Sequence, residues 1–185
     1  IVVVAQPEAL DLCQKQVIIP FGIKKVLRLV PGGKERQDSV YNALKVCHQQ
    51  NDWDLILVHD GVRPLVTAPE VRQVIRAAAE HGAAILALPA QDTVKKVDRK
   101  GRIQKTLNRR DIWLAQTPQA FQAGIIWQAF VEAYRRDFYG TDEASLLEAQ
   151  GIPVVVIPGS PFNIKVTTPE DLLMAEAIHQ LRQKK

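Results

Sequence analysis

The feature that most constrains the fold is an apolar run over 55–59 that stops abruptly at a polar turn. Large aliphatic residues in an unbroken run are typical of a strand buried in a parallel sheet. The turn that follows contains Asp60, Gly61, Arg63 and Pro64. In open α/β sheets, ligands bind just beyond the carboxyl ends of the strands. The segment therefore predicts a carboxylate and a guanidinium at a ligand site, and the alternative is a simple salt-bridged turn.

Strands and helices alternate along the first half of the chain. Apolar segments predict strands over 1–5, 26–30, 55–59 and 83–88. The first of the intervening helices has an apolar face with helical spacing, formed by Val40, Ala43, Leu44 and Cys47. A second helix opens at Thr67-Ala68-Pro69-Glu70, which has the features of a capping box. This alternation predicts an α/β fold with a doubly wound, mostly parallel sheet.

The pattern changes after Pro89. Residues 93–110 are rich in charge and contain two short β-like pieces around a turn at 98–101, which predicts a hairpin that leaves the sheet as an arm. Further along we expect a helix over 121–134, a short helix capped by Thr141, strands over 153–157 and 163–166, and a last helix opened by Thr167-Thr168-Pro169-Glu170. We expect one domain over 1–185, with the arm at about 93–110.

Composition argues against several classes of function. The net charge of +4 is small and scattered, so we expect no nucleic-acid partner. No apolar run approaches the ~20 residues that cross a bilayer, so we expect no membrane partner. Cys13 and Cys47 fit no metal-binding spacing, and Cys47 falls on the apolar face of a predicted helix, which suggests a core position. Free thiols are typical of a reducing compartment, so we expect a cytoplasmic protein, or one of the plastid stroma in a plant-type host.

Four polar clusters are candidates for function. The pair Gly32-Gly33 precedes a helix that carries Ser39, and paired glycines let backbone amides approach a ligand closely, although a plain tight turn would look the same. The second cluster is the turn after Asp60. In the third, Arg109 and Arg110 precede Thr117-Pro118-Gln119, which we interpret as a turn, and arginine offers a forked set of donors to phosphate. The alternative for these arginines is an ordinary basic pair on the surface.

The fourth cluster is Lys165, flanked by Ile164 and Val166. Its ammonium must find a partner or reach a cleft. The histidines make no catalytic case: His48, His81 and His179 are expected at the surface, and His59 either orients Asp60 or packs. The candidates predict phosphate binding rather than covalent catalysis, with no metal-ligand cluster.

Together these segments resemble the 2-C-methyl-D-erythritol 4-phosphate cytidylyltransferase family over essentially the whole chain. The motifs that carry the resemblance are Gly32-Gly33-x-x-Arg36-x-x-Ser39-Val40, Val58-His59-Asp60-x-x-Arg63-Pro64, Gln116-Thr117-Pro118-Gln119-x-Phe121, Thr141-Asp142-Glu143-Ala144-Ser145 and Asn163-Ile164-Lys165-Val166-Thr167. Ribitol-5-phosphate cytidylyltransferases share several of these motifs but have Thr-Asp-Ala-Cys at the fourth. A non-catalytic module that binds a phosphosugar or a nucleotide is the alternative from another class.

The resemblance implies a Rossmann-like nucleotidyltransferase that uses CTP and a phosphorylated polyol, with Mg²⁺ held mainly by the CTP phosphates. It implies that Gly33 and Ser39 bind the cytosine and that Asp60 and Gly61 lie at the sugar. The residues implied to contact the methylerythritol phosphate are Arg63, Thr93, Arg109, Thr117, Thr141 and Lys165. Of these, Lys165 and Arg109 are the expected catalytic residues. The resemblance also implies a homodimer formed through the arms.

The family begins with a strand and a glycine-rich loop that cradles the triphosphate, whereas Ile1 to Ala5 is similar to the family's second strand. We expect that loop to precede Ile1 in the natural protein. We also expect the 185 residues alone not to turn over CTP, because no other segment supplies a glycine-rich nest with lysines.

Overall fold

The computed structural model describes residues 1–50 and 53–183. These form two compact units, Ile1–Ile56 with Gln122–Pro153, and Leu57–Phe121 with Val154–Lys185. In the described part of the chain, no helix has the length and apolar character needed to cross a membrane.

The first unit contains a parallel pair of strands and several helices. Strand β1 (Val2–Ala5) pairs with β2 (Arg28–Pro31) in parallel register. A 3₁₀ turn, helix α1 (Leu10–Leu12) and a π-helical segment (Cys13–Ile18) connect them, and the sequence analysis did not predict these. The remaining elements are α2 (Arg36–Gln50), the first half of β3 (Leu55–Val58), α4 (Ala123–Arg135) and α5 (Glu143–Glu148).

The core of this unit forms where α4 and α5 present their apolar faces. Its buried side chains are Leu44, Ile126, Ala129, Phe130, Ala133, Leu146 and Leu147. Of the predicted apolar face of α2, only Leu44 is buried, and Cys47 is half-buried. The prediction that Cys47 is a core residue was wrong, because Cys47 faces a cavity of about 280 Å³ that Trp53 and Trp127 also line.

The second unit contains strands β4 (Ala83–Pro89), β7 (Trp113–Gln122) and β8 (Val155–Pro158), and helices α3 (Ala68–His81) and α6 (Pro169–Gln183). It is built on a four-stranded sheet in the order β3–β7–β4–β8. Strand β8 runs parallel to β4, whereas β7 runs antiparallel to it. The residues of β4 from Ala83 to Ala87 are all buried, as the unbroken apolar run predicts. The predicted α/β architecture is confirmed, with β7 as an antiparallel exception.

The predictions for three further segments were also wrong. Residues 116–121 continue β7 rather than forming a turn and a helix start, because Gln116 and the residues from Gln119 onward pair with β4 on either side of a register shift. The Thr117–Pro118 peptide, which lies within that shift, is cis. Residues 163–166 form no strand; the Val166 N–H donates instead to the carbonyl of Val62 at 2.8 Å. The cap of α5 is Asp142 rather than Thr141, since the Asp142 carboxylate accepts the Ser145 N–H at 3.0 Å.

The helix starts follow from local chemistry. Thr67 caps α3, and Glu70 completes the predicted box by accepting the Thr67 N–H at 2.7 Å. The box of α6 is displaced by one residue from the predicted one: Thr168 accepts the Asp171 N–H at 3.3 Å, and the Asp171 carboxylate accepts from Thr168 N–H at 2.9 Å. Asp171 therefore takes the role that the sequence pattern gave to Glu170.

The predicted hairpin is confirmed. Strands β5 (Lys95–Val97) and β6 (Ile103–Thr106) pair antiparallel, and every residue of both is exposed. Asp98 closes the connection, because its carboxylate accepts from the backbone N–H groups of Lys100 and Arg102, both at 2.9 Å. These bonds, with the Arg102 side chain, hold the pKa of Asp98 below its usual value.

Candidate functional site

The loop before α2 brings Gly33 and Ser39 together, as the sequence predicts. The Gly33 N–H donates to Oγ of Ser39 at 3.0 Å, and that hydroxyl donates to the Glu35 carbonyl at 3.1 Å. A Cβ at Gly33 would lie 2.2 Å from Cβ of Asp38, so a side chain is sterically excluded there. The loop is thus folded tightly against the first turn of α2, with Gly33 exposed to solvent.

Asp38 is held as an anion beside this loop. Its Oδ1 accepts from the hydroxyl of Tyr134 at 2.5 Å and from that of Tyr139 at 3.2 Å, and its Oδ2 accepts the Glu35 N–H at 2.9 Å. The Tyr134 bond is the main reason that the pKa of Asp38 lies below its usual value. Burial and the neighbouring carboxylate raise the pKa of Tyr134.

A buried ion pair supports Thr141. The two terminal nitrogens of the Arg36 guanidinium donate to Glu143, at 2.7 and 3.0 Å, and the Glu143 side chain is 1% exposed. Burial raises the pKa of Glu143, and the paired guanidinium acts in the opposite direction. The Gln37 amide also holds this segment, because it accepts the Gly140 N–H at 2.9 Å. These bonds fix the segment around Thr141 to the start of α2, and Thr141 itself is exposed.

In the second unit, Lys165 pairs with Asp60. The ammonium lies 3.0 Å from Oδ2 of Asp60, whose side chain is 13% exposed, whereas that of Lys165 is 43% exposed. A cation that is half-accessible beside a largely covered carboxylate is held in one place and still reaches solvent. The sequence predicted that the Lys165 ammonium either finds a partner or reaches a cleft. In the structure it has a partner and is also accessible to solvent.

Thr117 and Arg63 join the same group. Oγ1 of Thr117 accepts the Asp60 N–H at 3.0 Å. The Arg63 guanidinium donates to the carbonyl of Asn163 at 2.7 Å, and the fully buried Asn163 amide donates to the Thr117 carbonyl at 2.9 Å. One ion pair and a few hydrogen bonds, two of them to Asn163, thus link four of the predicted site residues of this unit: Asp60, Arg63, Thr117 and Lys165.

The other predicted residues of this unit lie elsewhere. Arg109 forms part of the 3₁₀ turn Arg109–Asp111, where its guanidinium donates to the Gln91 carbonyl at 2.5 Å. We predicted that Arg109 lies beside a turn at Thr117. That turn does not exist, because Thr117 is buried within β7. Thr93 is exposed between β4 and β5. Gly61 is exposed, and a Cβ added there would meet no atom within 4 Å.

Sequence reasoning missed three contributors: Asn163, Glu143 and, in part, His59. Glu143 reads as a favourable acid in a helix first turn, and its partner Arg36 lies 107 positions away. Asn163 gave one usable signal, since a buried asparagine beside an apolar segment needs partners for its amide. His59 was left open between orienting Asp60 and packing, and its contacts are described below.

Comparison with known proteins identifies the class. The model of the family "IspD: 2-C-methyl-D-erythritol 4-phosphate cytidylyltransferase" matches residues 1–181. The protein of that name from Syntrophus aciditrophicus is 55% identical over 158 residues, covering 85% of this chain and 67% of the relative. The one from Pelotomaculum thermopropionicum is 46% identical over 183 residues, covering 99% and 76%.

Solved structures agree with the sequence matches. The 4-diphosphocytidyl-2C-methyl-D-erythritol synthase of Anaerococcus prevotii superposes with a TM-score of 0.84 at 31% identity, covering 97% of this chain and 78% of that one. The 2-C-methyl-D-erythritol 4-phosphate cytidylyltransferase of Francisella tularensis gives 0.75 at 39% identity, covering 83% and 71%. The fold and these matches define an α/β nucleotidyltransferase. Within that class, the chain belongs to the 2-C-methyl-D-erythritol 4-phosphate cytidylyltransferase family.

Proposed function

We propose that the protein transfers the cytidylyl group of CTP to 2-C-methyl-D-erythritol 4-phosphate and releases pyrophosphate, a step in the biosynthesis of isoprenoid precursors. Family membership supports this activity, since the match to the family covers most of the chain. In the structure, the Lys165–Asp60 pair is the observation that supports the proposal most strongly. Its ammonium is accessible to solvent and is held at a fixed position in the group that also contains Arg63 and Thr117.

The reaction needs positioning and charge neutralisation more than acid–base groups. An oxygen of the acceptor phosphate attacks the α-phosphorus of CTP and forms a new P–O bond. The bond from that phosphorus to the bridging oxygen breaks, and the electron pair leaves with pyrophosphate. Both reactants are anionic, so a cation near the point of attack lowers the barrier by cancelling their repulsion. Lys165 is proposed for that role, with Arg109 as a further cation for the acceptor phosphate.

The groups of the first unit suit the nucleotide base. We propose that the exposed backbone at Gly33 and the hydroxyl of Ser39 bind the cytosine. The exposure of Gly33 supports this, because a residue without a side chain lets its backbone come close to a planar ligand. Thr141, exposed at the end of the segment fixed by Arg36, is proposed as a contact of the acceptor phosphate.

The turn after β3 suits the sugar and the acceptor. We propose that the Asp60 carboxylate accepts from sugar or polyol hydroxyls and that Gly61 meets the ribose through its backbone. The open space at Gly61 supports the second assignment, because no protein atom blocks a ligand there. Arg63, Thr117 and Thr93 complete the proposed acceptor contacts.

Mg²⁺ is proposed as the cofactor. Within 1–50 and 53–183, no cluster of three or more histidines, cysteines and carboxylates is arranged to hold a metal ion. Asp60 is the acidic group of the proposed site and already faces Lys165. This donor set fits an ion held mainly by triphosphate oxygens, with Asp60 reaching a water of its shell. When bound, the ion would neutralise phosphate charge.

We also propose that the protein is a cytoplasmic homodimer that associates through the hairpin β5–β6. The exposure of the whole hairpin supports the second point, because a lone two-stranded ribbon is marginally stable in water and gains from a partner.

Pyrophosphate release by the full-length protein tests the activity. The assay compares 2-C-methyl-D-erythritol 4-phosphate with ribitol 5-phosphate as acceptor, each with CTP and Mg²⁺. We expect release with the first acceptor and little with the second. A preference for ribitol 5-phosphate would reassign the substrate. Binding of CTP by calorimetry without pyrophosphate release would indicate a non-catalytic module.

A further inference from the structure

The His59 imidazole closes the turn that carries Asp60 and Arg63. Its Nε2 lies 3.1 Å from the carbonyl oxygen of Arg63, and its Nδ1 lies 3.1 Å from Oγ1 of Thr117. The same Oγ1 accepts the Asp60 N–H at 3.0 Å. The ring therefore contacts one end of the turn directly and the other end through a single hydroxyl.

These partners select one neutral tautomer of the ring. A carbonyl oxygen can only accept, so Nε2 must carry the hydrogen that faces Arg63. Nδ1 then accepts from the Thr117 hydroxyl, whose oxygen still has a lone pair for the Asp60 N–H. The opposite neutral tautomer would turn a ring lone pair toward a carbonyl oxygen. Loss of hydration lowers the pKa of His59, which favours the neutral form.

The turn held in this way also holds the segment of Lys165. The carbonyl of Val62 accepts the Val166 N–H at 2.8 Å, and the Arg63 guanidinium donates to the Asn163 carbonyl at 2.7 Å. A shift of the turn would therefore move the backbone on both sides of Lys165. The Asp60 carboxylate and the ammonium that it meets depend on the same few bonds.

We propose that His59 is a positioning residue, which fixes the 60–63 turn through Thr117 and the Arg63 carbonyl and so sets the Asp60–Lys165 pair. Its effect on catalysis rests on the proposed function, whereas its effect on the turn does not. His59 is not itself proposed to touch the substrates.

Three substitutions separate the two contacts of the ring. His59→Asn puts an amide oxygen at the place of Nδ1 and keeps the bond from Thr117. His59→Gln reaches the place of Nε2 and keeps the bond to the Arg63 carbonyl. His59→Phe keeps the ring and removes both. We expect kcat to fall on the order of a hundredfold in His59→Phe, since small misplacements of reacting groups cost about that much. The Asn and Gln variants should recover part of it.

A control variant distinguishes positioning from general damage. His81→Phe, at the exposed end of α3, should leave kcat unchanged. In the His59 series kcat should fall, and KM can rise with it, because the turn that His59 fixes carries Asp60, the partner of Lys165, and also holds the proposed substrate contacts Arg63 and Thr117. A His59→Phe variant with wild-type kcat, or one whose loss appears only in KM, would overturn the proposal.

Nitrogen-15 NMR of the imidazole in the full-length protein gives a readout independent of activity. We expect a protonated Nε2 and an unprotonated Nδ1 at neutral pH. A neutral ring protonated at Nδ1 would overturn the proposed bonds. Failure of the proposed function would look different, since the wild-type protein would then lack transferase activity while showing the expected tautomer and losing thermal stability on His59→Phe substitution.

Discussion

The ammonium of Lys165 lies 3.0 Å from the carboxylate of Asp60, although the two residues are more than a hundred positions apart in the sequence. We expect Lys165→Ala to lower turnover by about a hundredfold or more, comparable to the loss of one donor that stabilises a transition state. Steady-state kinetics on a variant shown to be folded by circular dichroism checks this. Lys15→Ala is the matched control, because Lys15 forms an exposed pair with Asp11 at 2.8 Å. Near-wild-type turnover in folded Lys165→Ala would remove Lys165 from the mechanism.

Arg109 and Arg110 are adjacent arginines in one 3₁₀ turn, and they provide an internal comparison. We expect Arg109→Ala to raise KM for the phosphorylated polyol and to affect KM for CTP less, because Arg109 is proposed as an anchor for the acceptor phosphate. Arg110→Ala should change neither strongly. An equal rise in both KM values for Arg109→Ala would mean that Arg109 does not distinguish the two phosphates.

Local signals explain most of what the sequence predicted correctly. The start of α3 follows from Thr67 and Glu70, three positions apart, and the hairpin follows from the polar turn at 98–101. The burial of β4 follows from an apolar run with no polar interruption. Each of these depends on neighbours within a few positions, and a single sequence contains that information.

The errors fall where distant partners decide the structure. Thr117-Pro118 has the composition of a turn, yet it lies at a register shift inside a ten-residue strand, because the residues on either side of it pair with β4. Residues 163–166 alternate as a strand would, but their bonds go to the 62–63 turn. The partners of Glu143 and Asn163 could not be predicted, because nothing in the sequence indicates which of many donors lies opposite a given side chain.

The Arg36–Glu143 pair should matter for stability. Arg36→Ala would leave the carboxylate of Glu143 buried without its bidentate partner. The loss of one member of a fully buried pair costs about 3–5 kcal/mol, which is the upper limit here because the Arg36 side chain is 36% exposed. Arg135→Ala, which removes an exposed pair with Glu132, should cost far less. Urea denaturation of both variants gives the comparison. Similar losses in the two would show that burial adds nothing to the Arg36 pair.

Asp38 should contribute to stability at neutral pH and lose that contribution in acid. The pKa of Asp38 in the folded state is lowered, chiefly by the Tyr134 hydroxyl. As the pH falls below about 4, Asp38 therefore takes up a proton more readily in the unfolded chain than in the folded chain, and the folded state loses stability. Tyr134→Phe removes the bond at every pH. We therefore expect the free-energy difference between wild type and Tyr134→Phe to be largest above pH 5 and to shrink at lower pH. A difference that is constant from pH 7 to pH 2 would contradict this assignment.

The hairpin should control assembly. Deletion of residues 97–103, with the ends of β5 and β6 joined, removes the exposed connection together with Val97 and Ile103, the pair at the tip of the hairpin. Sedimentation velocity should show a dimer for the wild-type protein and a monomer for the deletion variant. A dimer that persists after the deletion would place the interface elsewhere on the protein.

The central claim is that an acceptor phosphate attacks the α-phosphorus of CTP. Phosphorus-31 NMR of the full-length protein with CTP, Mg²⁺ and 2-C-methyl-D-erythritol 4-phosphate, in which the acceptor phosphate carries oxygen-18, tests this most directly. We predict free pyrophosphate and a cytidine diphosphate ester with two coupled phosphorus resonances, with the label retained in the bridge between them. Formation of CMP or inorganic phosphate without that coupled pair would contradict the claim.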